Sequence, residues 1–534
     1  MKRLVWLLSM ATGVFADVAG VVPQTDEAFE SFGGCTMRVI VYRMSDQTDD
    51  SNELLQKDEW LVGFNERTNV VRAPILATED PLTGRGTAYL RLAPLPHARQ
   101  DSEAVDFMFW GQPEPGTDRR GLLVRCTGYP YVALPYAGGA DGRTRALQDY
   151  QRSVRPYVSG RDGVFLANTW GDCNRDTRIN EAFLLEEVRA ASELGVEVLQ
   201  VDDGWQTGKS MNSAFANGKG VWNGYWAVSP DFWVPDPKRF PHGLAAVTKA
   251  AGEKGVRFGL WYAPDSSNDA ANWERDADWI LKLHGECGID YFKLDSMKTT
   301  GALSLSRQKS LFDKVTGGSD GRIVIDMDVT AEKRPGYFGM MKAGPLFVEN
   351  RYTDWKSYWP HLTLRTLWSL SEVVDPVRMR MEVLNPLRNR ELYGDDPLAP
   401  AAYPPETLFA IVMAASPLGW FEVQNLAPET VSAWKPLIAT WKREREAMAA
   451  CNVLPVGARP DGVSWTGLVF TPREAGRPGY GLFFRELAND ARYAFDFRRY
   501  LPKAKTATVL SPRGKADLSG VETEPRDFVW ARFD

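Results

Sequence analysis

Residues 288–297, with the sequence GIDYFKLDSM, carry an amine and a carboxylate two positions apart in a short apolar run. Side chains two positions apart lie on the same face of a β-strand, so we expect Tyr291, Lys293 and Asp295 to point the same way while the residues between them pack behind. An ammonium group favours the ionised form of a nearby carboxylate, which suits Asp295 to act as a nucleophile. In a parallel barrel, the C-terminal end of such a strand lies on the face where catalysis takes place.

The surrounding sequence alternates between short β-branched or aromatic runs and amphipathic segments with helical spacing. One helix is expected to begin after Asn180 as a cap and to end at Gly195, and others are expected around Leu244–Lys254 and Trp273–His284. The predicted strands are residues 163–170, 196–201, 256–261, 288–297, 322–326, 345–351, 377–384 and 414–422. Eight strands joined by helices within about 260 residues indicate a (β/α)₈ barrel. The alternative, an open doubly wound sheet, is disfavoured because no glycine-rich phosphate loop follows the first strand.

Most of these strands end in polar or aromatic residues that are costly to bury without a partner. They are Trp170, Asp172, Asp202, Asp203, Trp261, Asp265, Lys293, Asp295, Asp326, Asp328, Arg351, Asp354, Glu422 and Asn425. One face of the barrel is therefore expected to be rich in carboxylates and tryptophans. Carboxylates accept hydrogen bonds from vicinal hydroxyl groups, and aromatic rings cover the C–H surface of a sugar, so this face suits a polyhydroxylated neutral ligand.

Hydrolysis of a glycosidic bond needs two carboxyl groups with opposite roles, one ionised and one protonated. Asp295 suits the ionised role. Asp354 lies just beyond the predicted sixth strand and suits the protonated role, because two tryptophans close to it in the sequence can supply apolar surroundings. Glu349 is the rival acid, although its earlier position on the strand favours a role as a partner of Arg351.

The composition narrows the function classes. The chain has 534 residues, of which 44% are hydrophobic, and a net charge of −6. This is typical of a large globular protein, and it argues against nucleic acid as the main partner. The five cysteines and four histidines lack the spacing of a zinc site or of a disulfide framework, so we expect no metal and no cofactor. No apolar run is long enough to span a membrane.

Three regions are expected along the chain: an N-terminal β-sandwich-like domain at residues 1–155, the barrel at 160–450 and a small all-β domain at 455–534. Residues 1–16 are a possible signal segment, because two basic residues precede a short apolar run; the alternative is a first β-strand. With a signal the protein would be exported or periplasmic, and without one it would be cytoplasmic.

Six segments of the predicted barrel resemble the melibiase group of retaining α-galactosidases, which is glycoside hydrolase family 36 of clan D. They are residues 168–170 (NTW), 201–205 (VDDGW), 258–264 (FGLWYAP), 291–295 (YFKLD), 351–354 (RYTD) and 416–418 (SPL). The resemblance implies that Asp295 is the nucleophile and Asp354 the acid/base. It also implies that Asp202 and Asp203 bind the galactose O4 and O6 hydroxyls and that Lys293 and Arg351 contact the sugar. Trp170 and Trp261 would form walls of the pocket.

The chain departs from the family pattern at the fifth strand, where residues 325–330 (IDMDVT) replace a cysteine and a glycine-rich run. That loop usually meets the C2 side of the sugar, so the choice between galactose and N-acetylgalactosamine stays open. Asp326 and Asp328 either bind substrate or pair with Arg334, and Glu349 is a further possible substrate contact. The Asp202-Asp203-Gly204 segment is also an ordinary turn sequence, although adjacent carboxylates at a strand end favour a polyhydroxy ligand.

The expected function is that of a retaining exo-α-galactosidase, which hydrolyses terminal α-D-galactosides, small or oligosaccharide, by double displacement. The alternatives are an α-N-acetylgalactosaminidase or α-glucosidase of the same clan, a raffinose-synthase-like transglycosylase, and a non-catalytic sugar-binding relative. The last is disfavoured because both proposed catalytic carboxylates are present. The sequence gives no indication of the oligomeric state.

Overall fold

The computed structural model describes residues 27–32, 36–44, 54–63, 67–95, 98–99, 105–113, 120–126, 129–172, 174–328, 336–348 and 358–534. The N-terminal region holds nine strands: β1 (Glu27–Phe32), β2 (Thr36–Met44), β3 (Leu55–Gly63), β4 (Asn69–Val71), β5 (Ile75–Glu79), β6 (Gly86–Arg91), β7 (Phe107–Pro113), β8 (Arg120–Cys126) and β9 (Tyr131–Tyr136). They form two antiparallel sheets, ordered β1-β8-β7-β4 and β3-β2-β5-β6-β9. Val39, Tyr89 and Phe109 belong to one apolar core shared by both sheets, which confirms the predicted β-sandwich.

Eight parallel strands then close into a barrel: β10 (Leu166–Asn168), β11 (Val198–Val201), β12 (Arg257–Tyr262), β13 (Tyr291–Leu294), β14 (Val324–Asp328), β15 (Leu346–Val348), β16 (Met379–Leu384) and β17 (Ser416–Trp420). The barrel is closed by pairing of β17 with β10, in which Leu418 lies opposite Leu166. The predicted (β/α)₈ barrel is confirmed.

The helices of the chain are α1 (Gly139–Val154), α2 (Glu181–Leu194), α3 (Tyr225–Val228), α4 (Leu244–Glu253), α5 (Ser267–Ala270), α6 (Trp273–Cys287), α7 (Ala302–Gly318), α8 (Pro360–Leu370), α9 (Pro405–Val412) and α10 (Pro428–Ala449). Short 3₁₀ helices lie at Thr169–Asp172, Pro376–Arg378, Arg390–Leu392, Pro400–Ala402, Val423–Asn425 and Phe497–Arg499. The predicted caps of α2 are present. Asn180 Oδ1 accepts a hydrogen bond from the backbone N–H of Phe183 at 3.0 Å, and Gly195 ends the helix with φ of 93°.

Two strand ends differ from the predicted ones in ways that affect the site. The first barrel strand stops at Asn168, because its side-chain oxygen accepts a hydrogen bond from the backbone N–H of Trp170 and turns the chain into a 3₁₀ helix. Trp170 therefore lies after the strand rather than on it. The fifth strand is shifted by two residues, which puts Asp326 in its middle and Asp328 at its end.

The C-terminal region is all β, as predicted. Its strands are β18 (Cys451–Gly457), β19 (Trp465–Pro472), β20 (Gly479–Arg485), β21 (Arg492–Ala494), β22 (Ala507–Val509), β23 (Lys515–Asp517), β24 (Gly520–Glu522) and β25 (Asp527–Phe533). They form a five-stranded sheet, β18-β19-β20-β25-β22, and a three-stranded sheet, β21-β24-β23. The exact boundaries of the three regions, at 155–160 and 450–455, stay predictions.

Helix α1 links the regions through two fully buried glutamines. Gln148 Nε2 donates to the carbonyl oxygens of Ser371 at 2.9 Å and Val453 at 2.7 Å. Gln151 Nε2 donates to the carbonyl oxygen of Val373 at 2.8 Å. Buried backbone carbonyls need such partners, so α1 holds the segment before β16 and the first C-terminal strand together.

Among the described residues, no helix combines the length and apolar character needed to cross a membrane.

Candidate active site

Asp295 lies directly after β13, partly exposed, at the C-terminal end of the barrel. Its Oδ2 accepts a hydrogen bond from the indole N–H of Trp261 at 3.0 Å, and its Oδ1 accepts one from the backbone N–H of Ser296. Ser296 has φ of 57°, a left-handed conformation that costs a non-glycine residue about 1 kcal/mol. Its hydroxyl donates to the carbonyl oxygen of Trp222 at 3.1 Å. The carboxylate is thus held in a fixed orientation by a strained turn.

Lys293 and Asp202 form a buried ion pair next to this position. The distance from Lys293 Nζ to Asp202 Oδ2 is 3.1 Å, and the two side chains are 2% and 5% exposed. The ammonium group also lies 4.5 Å from the ring centre of Phe347 and 4.9 Å from that of Trp420. The negative faces of these rings attract the cation, so Lys293 is held in the barrel interior by the rings as well as by Asp202.

We expect Lys293→Met to lower the free energy of unfolding by about 3–5 kcal/mol, because it leaves Asp202 as a buried charge without its cation. Urea denaturation measures the change. The matched control is Lys298→Met, which removes a partly exposed lysine five residues further on and should change stability by less than about 0.5 kcal/mol. The double variant Lys293→Met with Asp202→Leu should recover part of the loss. A full loss in the double variant would show that the charge of Asp202 is not the cause.

A chain of hydrogen bonds runs across the barrel beneath the ion pair. Asn168 Nδ2 donates to Asp202 Oδ2 at 2.9 Å and to Gln200 Oε1 at 2.8 Å. Gln200 Nε2 donates to Asp326 Oδ2 at 3.2 Å, and Arg380 Nε donates to Asp326 Oδ1 at 2.9 Å. Each amide orientation in this chain is determined by its neighbours. The chain therefore holds Asp202 in place from below.

Asp326 is fully buried in this chain, where both of its oxygens accept hydrogen bonds. Burial raises its pKa above the ordinary value, and the charge of Arg380 opposes that shift. Its pairing with Arg380 and Gln200 is a third outcome beside the two predicted ones, substrate binding and an ion pair with Arg334. Arg334 lies outside the described residues. Asp328, at the end of β14, is 1% exposed.

The two adjacent aspartates have different surroundings. Asp202 faces Lys293, whereas Asp203 accepts hydrogen bonds from Gln206 Nε2 at 2.6 Å and from the hydroxyl of Ser210, both on its own loop. Burial, together with the charges of Asp202 and Asp176, raises the pKa of Asp203 to about 7 although the two hydrogen bonds favour the ionised form. The role of Asp203 in sugar binding stays a prediction.

This raised pKa predicts a specific pH dependence of stability. A carboxyl group with a pKa near 4 in the unfolded chain and about 7 in the folded protein takes up a proton on folding between these two pH values. Its contribution to the free energy of unfolding is therefore greatest below about pH 4 and is lost as the pH rises to about 7. We expect Asp203→Asn, which cannot titrate, to gain about 2–3 kcal/mol relative to the parent between pH 5 and pH 8. Urea denaturation at both pH values measures this. Asp231→Asn, at an exposed carboxyl in the same part of the chain, should show no such difference.

The predicted tryptophans lie in three environments. Trp170 is partly exposed and packs against the apolar cluster inside the barrel. Trp261 is 1% exposed, and its indole N–H donates to Asp295. Trp205 is fully buried, stacks on Trp233 and donates to the carbonyl oxygen of Trp261 at 2.8 Å. A tryptophan that follows a barrel strand could line a pocket, but Trp205 is fully buried and supports Trp261 from behind.

Three predicted site residues, Glu349, Arg351 and Asp354, lie outside the described residues. The expected convergence of Asp354 on Asp295 therefore stays a prediction. The structure does bring together Asp202, Trp261, Lys293 and Asp295 at neighbouring strand ends, as the motif spacing indicated.

Sequence reasoning missed Gln200 and Arg380 as members of the site. Both are polar residues inside otherwise apolar strands, VLQV and MRMEVL. Gln200 also lies two positions before Asp202, which places both on the same face. A polar residue in a buried strand was the signal that could have identified them.

The melibiase family model matches residues 128–296 of the chain, a stretch that ends one residue after Asp295. This stretch of the chain is therefore similar to a melibiase domain. The chain is 30% identical over 161 residues to "Probable alpha-galactosidase C" of Aspergillus terreus, and 27% identical over 158 residues to "Alpha-galactosidase AgaA" of Geobacillus stearothermophilus. These matches cover 28% and 29% of this chain but only a fifth of the length of each relative.

Solved structures extend the likeness beyond the residues that the family model matches. The crystal structure of GH36 alpha-galactosidase AgaA from Geobacillus stearothermophilus superimposes with a TM-score of 0.66 at 14% identity, covering 95% of this chain and 76% of that one. A variant of AgaA in complex with stachyose gives a TM-score of 0.68 at 13% identity, with the same coverage. At these identities the likeness shows that the fold is shared, and it includes both flanking β regions.

Proposed function

We propose that the protein is a retaining α-galactosidase that removes terminal α-D-galactose from small or oligosaccharide substrates. In this proposal Asp295 attacks the anomeric carbon while Asp354 protonates the departing oxygen. Asp354 then activates the water that releases galactose with its configuration retained. The two carboxyl groups would be roughly 5–5.5 Å apart, as retaining enzymes require.

The observation that carries the proposal is the placement of Asp295. Its carboxylate is partly exposed at the C-terminal end of the barrel and is oriented by two N–H donors. A nucleophilic carboxylate must be ionised, accessible and directed at one carbon atom, and hydrogen bonds to its charged form support the first and third of these.

The neighbouring ion pair supports a polyhydroxylated ligand. Lys293 and Asp202 present a donor and an acceptor side by side, which matches two adjacent sugar hydroxyls, each of which both donates and accepts. The hydrogen bond from Asn168 holds Asp202 in place before any sugar binds, so little ordering is needed on binding. The names of the relatives and the stachyose complex of AgaA point to galactosides as the sugar class.

A panel of p-nitrophenyl α-glycosides tests the proposal. We expect kcat/KM for the α-galactoside to exceed that for the α-N-acetylgalactosaminide and the α-glucoside by at least about 100-fold. A sugar in which one hydroxyl is replaced or points the other way leaves buried polar groups of the site unpaired, and such a sugar is strongly rejected. Proton NMR during the first turnovers should show α-galactose as the initial product. Higher activity on either competing glycoside would identify one of the related hydrolases, and initial β-galactose would rule out the retaining mechanism.

Raffinose at high concentration separates hydrolysis from transfer. Free galactose should be the main product, whereas oligosaccharides longer than the substrate would indicate a transglycosylase. Binding of galactose by calorimetry without turnover of any glycoside would indicate a sugar-binding relative.

A further inference from the structure

A cavity lies between helix α1, the second half of helix α7 and residues 338–343. Its volume is about 220 Å³, and its walls include Leu92, Tyr150, Phe312, Phe338, Met340 and Met341. Helix α7 runs from the C-terminal end of β13 back to the N-terminal end of β14, and the cavity is lined by the second half of this helix. Residues 338–343, which lead into β15, form another wall. The cavity is therefore separate from the catalytic face.

The walls are apolar and buried. Phe312, Phe338, Met340 and Met341 are between 2% and 6% exposed. A dry apolar cavity of about 150 Å³ is known to bind benzene, so 220 Å³ has room for a chain of about six to eight carbon atoms. The methionine side chains are flexible and polarisable, which lets the walls adapt to such a chain.

The polar groups of the cavity are mainly hydrogen-bond donors. Lys309 is paired with Asp313 at 2.6 Å. The hydroxyl groups of Tyr150 and Thr316 and the ammonium group of Lys342 have no hydrogen-bond or ion-pair partner within the part of the chain that the structure describes. Tyr150 is 7% exposed, whereas Thr316 is partly exposed and Lys342 is exposed, so the donors lie at the side of the cavity that opens to solvent. A ligand that brings an acceptor with a negative charge would satisfy these donors.

We infer that this cavity is a binding site for a small amphiphilic anion, a carboxylate with a hydrocarbon chain of medium length. The chain fills the apolar walls, and the carboxylate accepts hydrogen bonds from the donors at the polar side. The site connects residues of the N-terminal sandwich, α1 and α7, because Leu92, Tyr150 and Phe312 all line it. Occupancy therefore stabilises the contact between the sandwich and the barrel.

Isothermal titration calorimetry of the full chain with octanoate tests the inference. We expect one molecule to bind and the melting temperature to rise with octanoate concentration. Octan-1-ol, which has the same chain without the charge, should bind at least about fivefold more weakly, and acetate should not bind. No octanoate binding, or equal binding of octanol, would overturn the inference.

Variants locate the ligand. Lys342→Met should weaken octanoate binding at least about fivefold, and Ala343→Phe should abolish it by filling the cavity. Since Ala343→Phe risks misfolding, Tyr150→Phe and Thr316→Val serve as milder changes that each remove one donor and should weaken binding. Lys249→Met, at an exposed lysine on α4, and Asp295→Asn should bind octanoate unchanged. Binding that is unaffected by Lys342→Met and by both milder variants would place the ligand elsewhere.

Discussion

Asp295→Asn is expected to lower kcat/KM for p-nitrophenyl α-galactoside by at least about 10⁴-fold, the scale of loss seen when a catalytic nucleophile is removed. An amide of the same shape can keep a contact with the Trp261 indole N–H through its oxygen, so the fold and the galactose affinity should persist. The measurements are initial rates together with thermal denaturation of the same samples.

The control for this variant is Asp290→Asn, which makes the same change at the other end of the strand, where the carboxylate pairs with His284. It should keep nearly full activity. Chemical rescue gives a positive test: Asp295→Gly with azide should form β-galactosyl azide, because the small anion attacks the anomeric carbon from the vacated side. Substantial turnover by Asp295→Asn would contradict the assignment of the nucleophile.

Asp354→Ala is expected to affect substrates according to their leaving groups. Hydrolysis of raffinose needs protonation of a sugar oxygen, so its kcat should fall by about 10²–10⁴-fold. Dinitrophenolate departs without protonation, so the galactosylation step with dinitrophenyl α-galactoside should be almost unaffected. With azide, this variant should form α-galactosyl azide. The azide ion attacks the anomeric carbon of the covalent galactosyl-enzyme from the face that the leaving group occupied, so the configuration is retained.

Glu349→Gln is the control that separates the two candidate acids. If Asp354 is the acid, Glu349→Gln should keep the ratio of raffinose to dinitrophenyl galactoside activity of the parent. The opposite result, a leaving-group dependence in Glu349→Gln and none in Asp354→Ala, would transfer the role to Glu349.

The sequence was sufficient to predict the barrel, because strand and helix periodicity and helix caps are local properties. The Asn180 cap, the Gly195 terminus and the closeness of Lys293 to Asp202 follow from short-range pattern and from the rule that parallel strand ends share a face. The shared orientation of Tyr291 and Lys293 toward the barrel interior follows in the same way.

Other features depend on contacts between distant parts of the chain. Trp170 and Trp205 both follow barrel strands, yet only Trp205 is fully buried. Trp233, which lies in the long connection between β11 and α4, stacks on it. The pairing of Asp326 with Arg380 joins positions 54 residues apart. A polar residue in a buried strand indicates from the sequence that it needs a partner, but the sequence does not identify that partner.

The buried glutamines of α1 bear on attempts to reduce the protein to its catalytic part. A fragment trimmed to residues 160–450 would lose the donors that satisfy Ser371 and Val373, and would also lose the strand that Gln148 joins through Val453. Each uncovered carbonyl in an apolar seam costs about 1–3 kcal/mol, comparable with a large share of a domain's net stability. The sandwich, barrel and terminal sheets should therefore melt as one cooperative unit, and a barrel produced alone would need a newly designed surface along the path that α1 follows.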